Sequence, residues 1–216
     1  MKAHWGIIQG SIDWHYLRYG KIGGTASKGL LVDSDTLLDD LISCRLEPLE
    51  LDDDAYQSSE MIRGSELEPM ARIALSEYSG HEFKECGWIQ SDINIIGISP
   101  DGLTQDMRFA CEIKCPSRKK HTQTLRGKSI PSDNLVQCVH YFTVNPLLER
   151  LYFGSFRPES QYRLAPFILE RESMVNLGTK AKPVCKTVNE WAAIMRCKAI
   201  EMETLIQVEL DKLGGI

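Results

Sequence analysis

The sequence predicts a mixed α/β domain, on three observations. Helical periodicity dominates up to Ser79, short β-rich segments divided by turn residues follow between Glu82 and Cys115, and another helical stretch separates these from two more strand-like runs. In order, Ser11 to Gly20 reads as a short helix with Ile12, Trp14, Tyr16 and Leu17 supplying apolar surface. Ser34 to Cys44 is a second helix, capped by Ser34 and carrying acids in its first turns. Ser58 to Ser79 is a longer one. Leu67, Ala71, Ala74, Leu75 and Tyr78 form its apolar stripe, Gly80 stops it, and Pro69 marks a first turn or a kink. Glu82 to Gln90, Ile93 to Ser99 and Phe109 to Cys115 are expected strands, Asp133 to Val144 a helix, and Leu151 to Phe156 and Arg163 to Leu169 further strands. A long amphipathic helix from Val188 to Leu213 closes the chain.

Composition agrees with one globular unit. The 216 residues are 43% hydrophobic and 25% charged, enough for a sizeable core and unlike a disordered or fibrous chain. No apolar run approaches the ~20 residues that span a bilayer. Met1 to Gly10 lacks the layout of a signal peptide, so a cytoplasmic protein is expected. The seven cysteines include no Cys-x-x-Cys pair, and buried reduced thiols are the expectation. A zinc or iron–sulfur site built from Cys111, Cys115 and Cys138 is the minor alternative.

The net charge of -5 weighs against a nucleic-acid partner, but the charge is segregated. Nine acids accompany the single base Arg45 between Asp33 and Asp54. The segment Arg118, Lys119, Lys120, Arg126 and Lys128 carries five bases and no acid. One face is therefore suited to a polyanion and another is not.

Residues 97 to 117, GISPDGLTQDMRFACEIKCPS, carry the chemistry. Strand alternation puts Ala110, Glu112 and Lys114 on one face and Phe109, Cys111 and Ile113 on the other. A carboxylate and an ammonium on the inner side of a sheet are costly without partners, and Asp101, in the turn Ser99-Pro100-Asp101-Gly102, is at hand. Two carboxylates from neighbouring strands make a hard oxygen site suited to Mg²⁺. An adjacent lysine can stabilise a hydroxide nucleophile or the charge developing on a phosphoryl oxygen. Metal-assisted phosphodiester hydrolysis needs these groups.

Pro100-Asp101 followed by Glu112-x-Lys114 resembles the PD-(D/E)xK nuclease signature. The SPDGL turn at 99–103 and the E-x-K-C-P strand at 112–116 are similar to those of the bacteriophage lambda exonuclease and YqaJ-type viral recombinase family. Gln9, Trp14, Arg18 and Gly20, then Gly23-Gly24-Thr25, resemble its N-terminal pattern. Gly64-x-x-x-Glu68-x-x-Ala71-Arg72 resembles its acidic helix, and Gln137 falls where the family has an active-site glutamine. The match runs over residues 8 to 145. The family's second glutamine is Val139 here, and its acidic position before the SPDG turn is matched loosely by Asp92.

The resemblance implies a restriction-endonuclease-like PD-(D/E)xK core, a central mixed β-sheet flanked by helices, with 1–216 as one nuclease domain. Asp101 and Glu112 would hold Mg²⁺, or Mn²⁺ in its place, helped by the Ile113 carbonyl, and Glu68 would complete the site or bind a second ion. Lys114 would position and activate the attacking water, and Gln137 would orient the water or the lysine. Arg18 and Thr25, with Ser27 as a second candidate, would hold a terminal 5′-phosphate. The activity implied is 5′-to-3′ degradation of one strand of linear double-stranded DNA, giving mononucleotides and a 3′ single strand for phage-type recombination. A homotrimeric ring and a single-strand annealing protein are the implied partners. Rivals are an endonuclease or a CRISPR-associated nuclease of the same core, and a catalytically silent DNA-binding or assembly module.

Overall fold

The computed structural model describes residues 1–51, 58–179 and 181–214. The end of the acidic segment, Asp52 to Asp54, lies outside them. The chain opens with β1 (Lys2–His4), α1 (Ile12–Arg18), α2 (Lys28–Leu31), α3 (Asp35–Leu46) and α4 (Ser59–Ser79). The strands β2 (Trp88–Gln90), β3 (Gly97–Ile98), β4 (Gly102–Leu103) and β5 (Phe109–Lys114) follow, then α5 (Arg118–Gly127) and α6 (Ser132–Val144). The chain ends with β6 (Arg150–Phe156), β7 (Leu164–Glu170), β8 (Met174–Asn176), β9 (Cys185–Thr187) and α7 (Val188–Gly214).

The central sheet has the order β4-β5-β6-β7. Its one parallel pair is β5–β6, with β4 and β7 antiparallel on either side. A parallel pair needs a crossover, and α5 and α6 supply it. Every residue of β6 from Leu151 to Phe156 is buried, as expected of a strand covered on both faces. Tyr152 and Phe156 join Ala71 and Leu75 of α4 and Cys111 and Ile113 of β5 in one apolar cluster. Leu151, Phe153 and Ala110 join α6 and α7 in a larger one. The architecture is thus helix, sheet, helices, with α3 packed outside through Leu37 and Leu41.

The mixed sheet flanked by helices is as expected, but the strands are divided differently. β1-β2-β3 form a separate antiparallel sheet and β8–β9 a two-stranded ribbon. The run from Glu82 narrows to β2, and its first part reaches the central sheet through a bridge from Lys84 to Leu103 and the packing of Phe83 on Cys111 and Tyr152. The run from Ile93 narrows to β3, because Asp92 to Ile95 turn instead of extending.

Several local readings hold in detail. Ser34 caps its helix, accepting from the Leu37 amide, and Gly80 ends α4 at φ +73°. One does not: Tyr78 is exposed and not part of the buried stripe, which is Ala71 and Leu75. Pro69 stands in the middle of α4, which excludes the first-turn alternative of its reading.

Candidate active site

Three separate pieces of chain hold the SPDG turn. Gln9 Nε2 donates to Pro100 O at 2.9 Å and to Cys86 O at 3.2 Å. Trp14 Nε1 donates to Ser99 Oγ at 2.8 Å. Arg72 Nε, from α4, donates to Asp101 O at 2.5 Å. Gly102 is required by its close neighbours: a Cβ there would come within 2.6 Å of Cys111 Sγ and 2.9 Å of Phe83 Cβ. The β4–β5 register pairs Gly102 with Cys111, which sets Asp101 beside Glu112 and Ile113.

Alternation along β5 is as expected, but both faces are covered. Cys111 and Ile113 face the α4 layer, while Ala110 lies in the α6 and α7 core. Glu112 is therefore fully buried, with Lys114 at the strand end 37% exposed and ion-paired to its Oε1. Tyr141 of α6 donates its hydroxyl to Glu112 Oε2 at 2.7 Å. The sequence reading missed Tyr141, although it lies four residues after Gln137 and so on the same helical face.

The three acids share one arrangement. Asp101 Oδ2 accepts from the Ile113 amide at 2.6 Å, Glu112 Oε2 from Tyr141, and Glu68 Oε1 from Arg72 Nη2 at 2.7 Å. The second oxygen of each receives no hydrogen bond from the described residues, and Glu112 Oε1 is buried with only the Lys114 ammonium beside it. Burial, then the Glu112 charge, pushes Asp101 well above the ordinary carboxylate range, against the pull of Lys114. Burial also raises Glu68, opposed by Arg72. Burial alone would lower Lys114, but Glu112 and Asp101 outweigh it and raise it.

Glu68, Asp101, Ile113 and Lys114 line a cleft of about 880 Å³, together with Lys120 of α5. Among the described residues no group of three or more His, Cys, Asp or Glu side chains is gathered closely enough to hold a metal ion by itself. The cleft offers hard oxygens from Asp101 and Glu68, each carboxylate anchored by one atom, with the buried Glu112 paired to Lys114 behind them. Two such carboxylates suit a divalent cation of the Mg²⁺ class, which keeps several of its waters.

Arg118, Lys119, Lys120, Arg126 and Lys128 are all exposed, and among the described residues none is ion-paired. They lie on or just after α5, which turns His121 and Thr124 inward. His121 is held between Ser155 Oγ and Tyr162 O, each at 2.8 Å.

The 5′-phosphate candidates separate. Arg18 stacks over the Trp14 ring at 3.8 Å and has no acidic partner among the described residues; burial lowers its pKa. Thr25 is exposed. Ser27 is fully buried and donates to Gly24 O at 2.6 Å, a correction to its reading as a phosphate ligand, since its hydroxyl is enclosed and already used. Gln137 packs on Gly24, where a Cβ would come within 2.9 Å of its Cγ, so the Gly-Gly-Thr segment and α6 are in contact. Asp92 pairs with Arg196 Nη2 at 2.6 Å and does not line the cleft.

A mixed sheet between helix layers is a fold this chain shares with a solved alkaline exonuclease. The structure of LHK-Exo in complex with dAMP superposes with a TM-score of 0.73 at 22% identity, over 95% of this chain and 99% of that one. The alkaline exonuclease (LHK-Exo) from Laribacter hongkongensis gives 0.73 at 21%, over 94% and 96%. The profile of the YqaJ-like viral recombinase domain matches residues 13–146, and the chain belongs to that family, as its motifs led us to expect. No curated protein sequence matches it. No described helix is long and apolar enough to cross a membrane.

Proposed function

We propose that the protein is a metal-dependent exodeoxyribonuclease, its whole chain one nuclease domain, that degrades one strand of linear duplex DNA from a 5′-phosphorylated end. Family membership and the alkaline-exonuclease fold support the reaction class. The observation that carries the reading is the juxtaposition of Asp101, Glu68 and Lys114 in one cleft with an unpaired basic helix at its edge.

Asp101, Glu112, Glu68 and the Ile113 carbonyl are the oxygens that would hold Mg²⁺ or Mn²⁺. Such an ion, when bound, polarises a phosphoryl oxygen and acidifies a water. Lys114, open to the cleft, orients the attacking water and meets the charge that develops on the phosphoryl oxygen. Gln137 orients that water or the lysine from the next helix. Arg18, with Thr25, receives the terminal phosphate, a guanidinium and a hydroxyl being suited to a dianion. The α5 bases hold the duplex backbone. A ring of three copies enclosing the DNA would keep the enzyme on its end, and the 3′ strand it leaves would be the substrate of an annealing protein.

The test is the size distribution of products from linear duplex DNA labelled at either end, with and without a 5′-phosphate and Mg²⁺. Mononucleotides released from the 5′ end, faster when phosphorylated, are expected. Equal cleavage of closed circular DNA would overturn the exonuclease assignment in favour of an endonuclease.

A further inference from the structure

Arg72 is the residue at this site for which the reaction assigns no task, yet all three of its guanidinium nitrogens are engaged. Nε donates to Asp101 O at 2.5 Å, Nη2 to Glu68 Oε1 at 2.7 Å, and Nη1 to Glu85 Oε1 at 2.6 Å. These partners come from different places: the turn before β4, the preceding turn of α4 itself, and the connection between α4 and β2. The Arg72 side chain is only 12% exposed, while Glu85 is 67% exposed. One planar group thus joins the backbone of the first carboxylate residue to the side chain of another across two layers.

We infer that Arg72 is a positioning residue for the cation site, acting through Glu68; the inference rests on the metal-dependent reading above. A glutamate on a helix has three rotatable bonds and could turn to solvent from a cleft wall. Fixing Oε1 to a group that also holds the Asp101 turn removes that freedom. The guanidinium fork fixes direction as well as charge, which a lysine ammonium cannot do. Glu85, at the rim, holds the third nitrogen and stops the fork from rotating. Arg72 touches neither substrate nor the reacting atoms in this scheme.

The test is calorimetric titration of Mg²⁺ into the full chain, without DNA, so that binding is read apart from turnover. Arg72→Gln is expected to weaken Mg²⁺ about tenfold, as loss of a ligand-orienting partner does. Arg72→Lys, which keeps the charge and a donor, is expected to weaken it several-fold; wild-type affinity in that variant overturns the inference. In a Glu68→Gln background, Arg72→Gln is expected to cost little more, because its effect runs through Glu68. Fully additive losses would mean a general structural role and overturn it too. Tighter binding in Arg72→Gln, expected if the guanidinium only competes with the cation for Glu68, also overturns it. Should Glu68→Gln alone leave Mg²⁺ affinity unchanged, the placement of Glu68 in the cation site fails first, and the two failures are distinguishable.

Discussion

Two acidic regions of this molecule have opposite physical roles. On α3, Asp35, Asp39 and Asp40 stand at the surface of a helix whose buried face is Leu37 and Leu41, and Asp33 just before it pairs with Lys198 of α7 at 2.5 Å. At the end of β5, Glu112 is fully buried and Asp101 is pushed well above the carboxylate range by burial and its neighbour. Water stabilises the first set one residue at a time. The second is held by donors from the protein and by Lys114, an arrangement that costs stability unless the charges are compensated. Site chemistry follows the few acids taken out of water, while the more numerous solvated ones set the net charge.

The sharpest way to break the comparison is to neutralise a buried acid. Asp101→Asn keeps the shape and the acceptor for the Ile113 amide, and is expected to lower kcat on linear DNA by on the order of 10²–10³ or more. Lys114→Gln should do likewise. It also leaves Glu112 as a buried charge with one partner fewer, which costs about 3–5 kcal/mol, so its melting temperature must be read beside its rate. Wild-type kcat in Asp101→Asn would remove the cleft from the chemistry.

A second buried ionisable group extends the contrast to pH. His140 of α6 is enclosed, its Nε2–H shared between Ile22 O at 3.2 Å and Gly97 O at 3.1 Å, and burial lowers its pKa to about 4. The unfolded chain takes up this proton near pH 6.5, the folded protein only near 4. Stability is therefore full above pH 6.5 and is lost as pH falls from there through 4. The loss amounts to about 3 kcal/mol, or on the order of 10 °C in Tm. Melting curves between pH 7 and 4 should show this slope, and His140→Gln should flatten it. An equal slope in the variant would assign the acid sensitivity elsewhere.

The basic helix sharpens the comparison from the other side. Lys119→Ala with Lys120→Ala should raise KM for duplex DNA and leave kcat near its original value. The slope of log affinity against log salt should become shallower by about one for each phosphate no longer engaged. An unchanged salt slope would place the duplex on another face.

Much of this was legible in the sequence because the relevant signals are local. The cap Ser34, the stop at Gly80 and the alternation along β5 are fixed by residues within a few positions. The SPDG and E-x-K pieces also declared themselves locally. What was not legible depends on partners far along the chain. That Ser27 is enclosed, that Tyr141 holds Glu112, and that β2 pairs outside the central sheet are consequences of tertiary packing. Tyr141 in particular lies 29 residues from its partner in sequence. Its four-residue spacing from Gln137 was a usable signal, but an aromatic at that position reads equally well as core.

The smallest effect is the most discriminating. Asp39→Asn with Asp40→Asn removes two negative charges from α3 without touching its buried face or its cap at Ser34. Exposed charges separated from the DNA path by more than about 8 Å are largely screened at physiological salt. Neither residue lines the cleft. The double variant should therefore keep its kcat, and its Tm should move by no more than a surface substitution does, within about ±0.5 kcal/mol per site. Any gain in duplex affinity should appear only at low ionic strength, where the whole-molecule field still reaches the incoming phosphates, and vanish near about 0.15 M salt. A fall in kcat comparable to that of Asp101→Asn would erase the distinction between the two acidic regions. A change confined to low salt would show that the α3 acids act only through long-range charge.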